Sequence, residues 1–263
     1  MPLPLAVAWT VVGIGVAAWA IRAMSARWLP SPPPRPDRDL TAAGLVALFV
    51  LMVAMVVGGV LVGATRPDAD GAALTIRPVD LALPAAFNLL AALAGLRVAR
   101  SRLGVDATVF GCTRARPLDL AFALGVFVAL VPAYIGISAL NAKLNDALGL
   151  ERHQRLVSAL LTEGRIDPWA VLLIVAVVPV CEELLFRGVF QTALASVLRP
   201  WAAIAASATL FALAHDPQSW ALIAAVGVGL GIVRHRTGSV LASTFFHATF
   251  NAVMLTQIVR EAR

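Results

Sequence analysis

The chain has 263 residues, 60% of them hydrophobic and 14% charged, with a mean hydropathy of +0.85. Soluble domains sit near half apolar and a quarter charged, so this composition excludes a soluble globular domain and points to an integral membrane protein. Lys and Arg exceed Asp and Glu by 21 to 15. The arginines stand at the ends of apolar runs rather than on one helix face or tail, which argues against a nucleic-acid partner and fits charges that flank membrane spans.

A membrane-spanning helix needs roughly 20 mostly apolar residues, and eight segments qualify as candidates: 3–21, 41–64, 81–98, 118–139, 168–190, 200–214, 219–233 and 239–259. The expected fold is all-α, a polytopic bundle of about eight transmembrane helices. The first segment lacks the basic leader of a signal peptide, with basic residues following it instead, and reads as a retained helix. The proline-rich linker "SPPPRPDRD" (31–39) cannot stay helical, and 66–80 reads as a turn-rich loop. Helices 6 and 7 read as short. Residues 140–165 space apolar positions every three or four, which predicts amphipathic helices on the membrane surface or capping a cavity. No internal repeat is visible, and the whole chain reads as one membrane domain.

Arginines crowd the connectors after helices 1, 3 and 7 (Arg22, Arg27, Arg35 and Arg38; Arg97, Arg100, Arg102, Arg114 and Arg116; Arg234 and Arg236). That bias favours both termini outside the cytoplasm, although the fourth connector, with Lys143, Arg152, Arg155 and Arg165, opposes it. The Ala- and Arg-rich usage, with Lys143 the one lysine, suggests a GC-rich bacterial genome and hence a bacterial plasma membrane. Cys112 and Cys181 form no disulfide framework; the first lies in a polar connector and the second in mid-membrane.

Three polar insertions interrupt the apolar helices. The first is "CEELLFR" in helix 5. Charge in hydrocarbon is costly and marks function. Glu183 and Arg187 stand four apart on one helical face, acid toward the amino end, and read as a structural ion pair. Glu182 is rotated about 100° away with no partner in its own helix, and so reads as the carboxylate free to exchange protons. Pro179 removes one backbone hydrogen bond and should leave the carbonyl near Val175 unpaired, tolerable where it lines a cavity or meets a neighbour. The second insertion is "LFALAHDP", with Phe211 and His215 four apart. The third is "FFHATFNAV", with His247 and Asn251 on one face of helix 8. A shared site is cheaper than three separate burials, so Glu182, His215 and His247 are expected to line one polar cavity where helices 5, 6 and 8 converge. His153 and His235 have ordinary solvated readings.

A carboxylate and an imidazole can take a proton from water, while a second imidazole and a carboxamide can donate to an oxyanion. Glu182, His215 and His247 also form a ligand set of the type that holds a catalytic divalent metal such as zinc, but the HExxH signature is absent. Of the two mechanisms the metal-free glutamate one is preferred. Cys181 points to another face, and an apolar thiol is usually inert.

"EELLFR", "FALAH" and "HATFN" resemble the EExxxR, FxxxH and HxxxN motifs of the CPBP family. These are intramembrane proteases related to the type II CAAX prenyl endopeptidases and are also called the Abi family. The three occur in the family's order over a core of about 168–255, and helices within 1–139 carry no matching motif. The resemblance implies an eight-helix bundle with a cavity entered from the membrane. It implies that Glu182 and His215 activate water, that His247 and Asn251 line the oxyanion site, and that Glu183 and Arg187 belong to the same motif. The substrate would be a membrane-associated peptide or protein in the lipid bilayer. The rival readings are a non-catalytic membrane scaffold of the same family and a proton-coupled transporter using Glu182, for which the paired broken repeats are not visible.

Overall fold

The computed structural model describes residues 1–65, 78–150 and 167–261, and the regular structure among them is entirely helical. Eight helices follow one another: α1 Leu3–Trp28, α2 Thr41–Thr65, α3 Pro78–Leu103, α4 Pro117–Leu148, α5 Pro168–Val197, α6 Pro200–Leu213, α7 Trp220–Thr237 and α8 Val240–Glu261. Proline opens α4, α5 and α6, and Pro217 opens the 3-10 turn that leads into α7. The missing N–H costs nothing in a first turn. Gly149 and Gly238 close α4 and α7 with φ of 66° and 71°, the left-handed cap that only glycine adopts cheaply.

The protein is a multi-pass integral membrane protein, and among the described residues six helical segments are long and apolar enough to cross the bilayer. Pro217–Thr237 is one of them, so the seventh segment is not short as expected, because the 3-10 turn lengthens it. Pro200–Leu213 is too short. α8 has the length, but Ser243, Thr244, His247, Thr249 and Asn251 lower its hydropathy. The amphipathic reading of 140–165 also changes. Residues 140–148 continue α4 without a break, while 151–165, His153 and most of the 66–80 loop lie outside the described residues.

α4, α5, α7 and α8 form the centre of the bundle. α1 packs on α4, α2 and α3 pack on each other and on α5, and α6 wedges between α5 and α7. Close approach is made by glycine. A Cβ on Gly13 would strike the backbone of Ala133, and one on Gly136 would strike Thr10 and the carbonyl of Ala6. Small residues at such crossings are how membrane helices gain packing without a hydrophobic driving force. The linker 29–40, the loop 104–116 and the α7–α8 turn meet at one end of the bundle. Val240 N–H donates to the Gly111 carbonyl (2.9 Å), Arg38 Nη1 to the Leu103 carbonyl (2.6 Å) and Arg236 Nη2 to the Ser25 carbonyl (3.4 Å). The three arginine-rich connectors therefore share a side of the protein.

α5 is not a regular helix. Leu173–Val177 and Leu184–Phe190 are π-turns that bracket the α-helical stretch Val178–Glu183. π-turns inside α-helices concentrate at functional sites, and here they flank both glutamates.

Candidate active site

Glu183 and Arg187 are fully buried, and Arg187 Nη1 lies 3.4 Å from Glu183 Oε1. The i,i+4 pairing read from the sequence is present, but Glu183 does more than pair. The same oxygen accepts from His247 Nδ1 at 3.1 Å across to α8. Arg187 is held on its other sides as well. Nη2 donates to the Gly227 carbonyl of α7 at 3.1 Å, and the guanidinium lies 4.3 Å above the Phe211 ring. One turn on, Gln191 Nε2 repeats the contact to the Gly231 carbonyl at 3.0 Å. The two glycines are required by α6: a Cβ at 227 would sit 3.0 Å from the Ala208 Cβ, and one at 231 would sit 2.8 Å from Ile204 Cγ2.

Glu182 faces the other way, as its 100° offset dictates. It is half-buried and borders a cavity of about 750 Å³. His215, His247 and Asn251 border the same cavity. His247 Nε2 lies 3.8 Å from Glu182 Oε2, too far for a direct hydrogen bond and close enough for a shared water. α5, α6 and α8 thus bring the three sequence-distant insertions to one place, and the extended end of α4 closes it, with Ser138, Asn141 and Ala142 on the wall.

The hydrogen bonds fix which ring nitrogen does what. A carbonyl can only accept, so His215 Nδ1, 2.8 Å from the Phe211 carbonyl, carries a proton, and the neutral ring leaves its Nε2 as the acceptor. His247 Nδ1 likewise carries the proton it gives to Glu183. Its Nε2 is then a lone pair in the neutral ring and a donor when the ring is doubly protonated.

Asn251 resolves the proline break. Val178 N–H bonds back to the Leu173 carbonyl, five residues away. In that register Pro179 would have served Ile174, and it has no N–H. Asn251 Nδ2 donates to the Ile174 carbonyl at 2.8 Å. The freed carbonyl is therefore Ile174 rather than the expected Val175, because the π-turn shifts the pairing by one residue, and a neighbouring helix satisfies it. Asn251 keeps a second amide hydrogen for the cavity.

Several contributors are invisible in the motifs. Phe211 stands edge-on to Phe186, His215 and His247, with centroids at 5.2, 4.8 and 5.6 Å, and forms the floor between both imidazoles. Trp220 Nε1 donates to the His215 carbonyl (2.8 Å), and Asn141 and Asn145 both donate to the Gln218 carbonyl, pinning the turn after His215 to α4. The Gly-x-Gly-x-Gly run 227–231 was the available signal for the α5–α7 contact. Cys112 and Cys181 are free thiols.

Among the described residues no three His, Cys, Asp or Glu side chains are placed to hold a metal ion. Glu182, His215 and His247 are thus not placed as a closed ligand set here, while the Nδ1 bond of His247 to Glu183 leaves Nε2 as its cavity-facing nitrogen.

Residues 165–253 match the family model for type II CAAX prenyl endopeptidase Rce1-like proteins. No curated protein and no solved structure matches the chain significantly.

Proposed function

We propose that the protein, whose residues 165–253 match the type II CAAX prenyl endopeptidase Rce1-like family model, is an intramembrane endopeptidase acting on membrane-associated peptides, and that its chemistry is metal-free. The observation that carries the reading is the single cavity bordered by Glu182, His215, His247 and Asn251.

A water in that cavity donates one hydrogen bond to His215 Nε2 and gives a proton to the Glu182 carboxylate. The resulting hydroxide attacks the carbonyl carbon of the scissile peptide bond. The C=O π electrons move to oxygen, and the oxyanion accepts from Nε2–H of the His247 imidazolium and from the free Asn251 amide hydrogen. Glu183 holds that imidazolium in orientation through Nδ1, and Arg187 holds Glu183. Collapse of the tetrahedral intermediate breaks the C–N bond, and the protonated Glu182 returns its proton to the leaving amine. Glu182, His215, His247 and Asn251 are the catalytic residues in this reading, and Glu183 and Arg187 are positioning residues.

Proteoliposomes carrying the purified protein, with quenched fluorogenic peptides anchored by a prenyl or an acyl chain, test it. Wild type should release fluorescence, and Glu182→Gln should lose at least about a hundredfold, the lower bound for a general base. Glu182→Gln turning over like wild type would overturn the assignment.

A further inference from the structure

A second cavity, of about 760 Å³, opens at the arginine-rich end of the bundle. Its wall carries Arg234, which is more than nine-tenths buried near the end of α7. Arg234 Nη2 donates to the Val109 carbonyl (3.2 Å) and to Thr192 Oγ1 (3.4 Å). Both are neutral acceptors. Nε is buried without any partner, and among the described residues no carboxylate pairs with the guanidinium. A buried charge is normally paired, and in a membrane protein a lone one is a functional mark. Glu183 and Arg187 show that this bundle pairs its other buried arginine. Here no acidic counter-charge is found among the described residues, and the one titratable neighbour acting on the guanidinium is the Cys112 thiol.

The surroundings fit an anion. Arg35 and Arg38, both exposed, border the same cavity, as do Pro200 and Ala203 on the first turn of the 14-residue α6, whose positive dipole end faces it. Two carboxylates are also on the wall, Asp37 and Asp106, both exposed at the rim rather than beside the buried guanidinium. The planar guanidinium matches the oxygens of a phosphate. The loop bearing Gly111 packs directly on Nε: Gly111 has φ of 81°, and a Cβ there would sit 2.5 Å from Arg234 Nε, so Nε lies under the loop and the rest of the guanidinium is what borders the cavity.

We propose that this cavity is a phosphate-binding site at the membrane surface, with Arg234 as the buried cation and Arg35 and Arg38 at its mouth. The group it takes is a phosphate, carried by a lipid headgroup or free in solution. The site is separate from the catalytic cavity. Gly227, at the level of Arg187, lies seven residues before Arg234, about 10 Å along α7. The proposal does not rest on the protease reading.

Full-length protein, delipidated in dodecyl maltoside, is titrated with inorganic phosphate at constant ionic strength. In parallel it is reconstituted in phosphatidylcholine nanodiscs with and without phosphatidylglycerol. Unfolding is followed by tryptophan fluorescence. Wild type should gain several degrees in at least one arm. A gain from inorganic phosphate as well as phosphatidylglycerol identifies the bare group as sufficient, and a gain from phosphatidylglycerol alone identifies the headgroup as source. Arg234→Gln should raise the half-saturating concentration at least about tenfold, the loss expected for a charge-assisted pair. Thr108→Trp, filling the mouth from the exposed loop and keeping Arg234 itself, should do the same and decides the matter if Arg234→Gln fails to fold. No gain for wild type in either arm, or an undiminished gain in a folded variant, overturns the proposal.

Discussion

Replacing Arg187 by methionine isolates what the buried pair does. The substitution keeps much of the side-chain length and removes the cation. Glu183, with no solvent exposure, then keeps His247 at 3.1 Å and the neutral Ser243 hydroxyl to answer its charge. Removing one member of a buried pair typically costs about 3–5 kcal/mol, because the partner is left uncompensated. The bond to Gly227 and the place over Phe211 go with the guanidinium, whereas the retained hydrogen bond from His247 to Glu183 offsets part of the damage. The middle of that range is the expected net effect. For a chain of this size about 2–4 °C of melting temperature accompanies each kcal/mol, so the fall should be about 8–16 °C by differential scanning fluorimetry in detergent. Glu182→Gln, which alters a group bordering the cavity, should stay within about 2 °C of wild type, as do changes away from buried networks. The double variant Glu183→Gln/Arg187→Met should lose less than the sum of its parts, since no charge is stranded. An Arg187→Met protein melting within about 2 °C of wild type would refute the reasoning, and so would a strictly additive double variant.

Asn251→Ala leaves the Ile174 carbonyl without its donor and should lose about 1–3 kcal/mol. Asn251→Asp sets an acceptor against that carbonyl and should be the less stable of the two, which thermal melts of both variants would check. Gly231→Val places a side chain against Ile204 Cγ2 and should cost about 1–3 kcal/mol by overpacking, with Ile204→Ala in the same chain recovering part of the loss. Chelation with EDTA should leave peptide cleavage unchanged, and elemental analysis of the active protein should find no stoichiometric metal. Zinc whose removal and return tracks turnover would refute the metal-free reading.

The glutamates, histidines and Asn251 were legible because each is expensive in an apolar run, and i,i+4 spacing assigned them to faces. What the face argument could not supply was the partner across the bundle. Glu183 looked complete with Arg187, and only the position of α8 makes it the anchor of His247. The π-turns have no composition of their own, and Pro179 alone could not tell which carbonyl it would free. The tail of α4 read as amphipathic because Asn141, Lys143 and Asp146 break its apolar run, yet Asn141 and Asn145 turn out to hold the Gln218 carbonyl. Arg234 escaped notice for the opposite reason. At the end of an apolar segment it looked like any flanking arginine, and its burial depends on the Gly111 loop folding over it.

The pairing of Glu183 with Arg187 inside one helix has a consequence for biosynthesis. α5 leaves the ribosome well before α8, so His247 is absent when α5 must enter the bilayer. Three separate charges at mid-membrane would oppose that step by about 8–10 kcal/mol on translocon scales. Because the acid and the base are one turn apart, they neutralise each other on the nascent helix, and only Glu182 remains to be tolerated until the rest of the bundle arrives. Arg187 therefore acts as a chaperone within the chain, and its loss should lower the yield of inserted protein even where the finished bundle could survive without it.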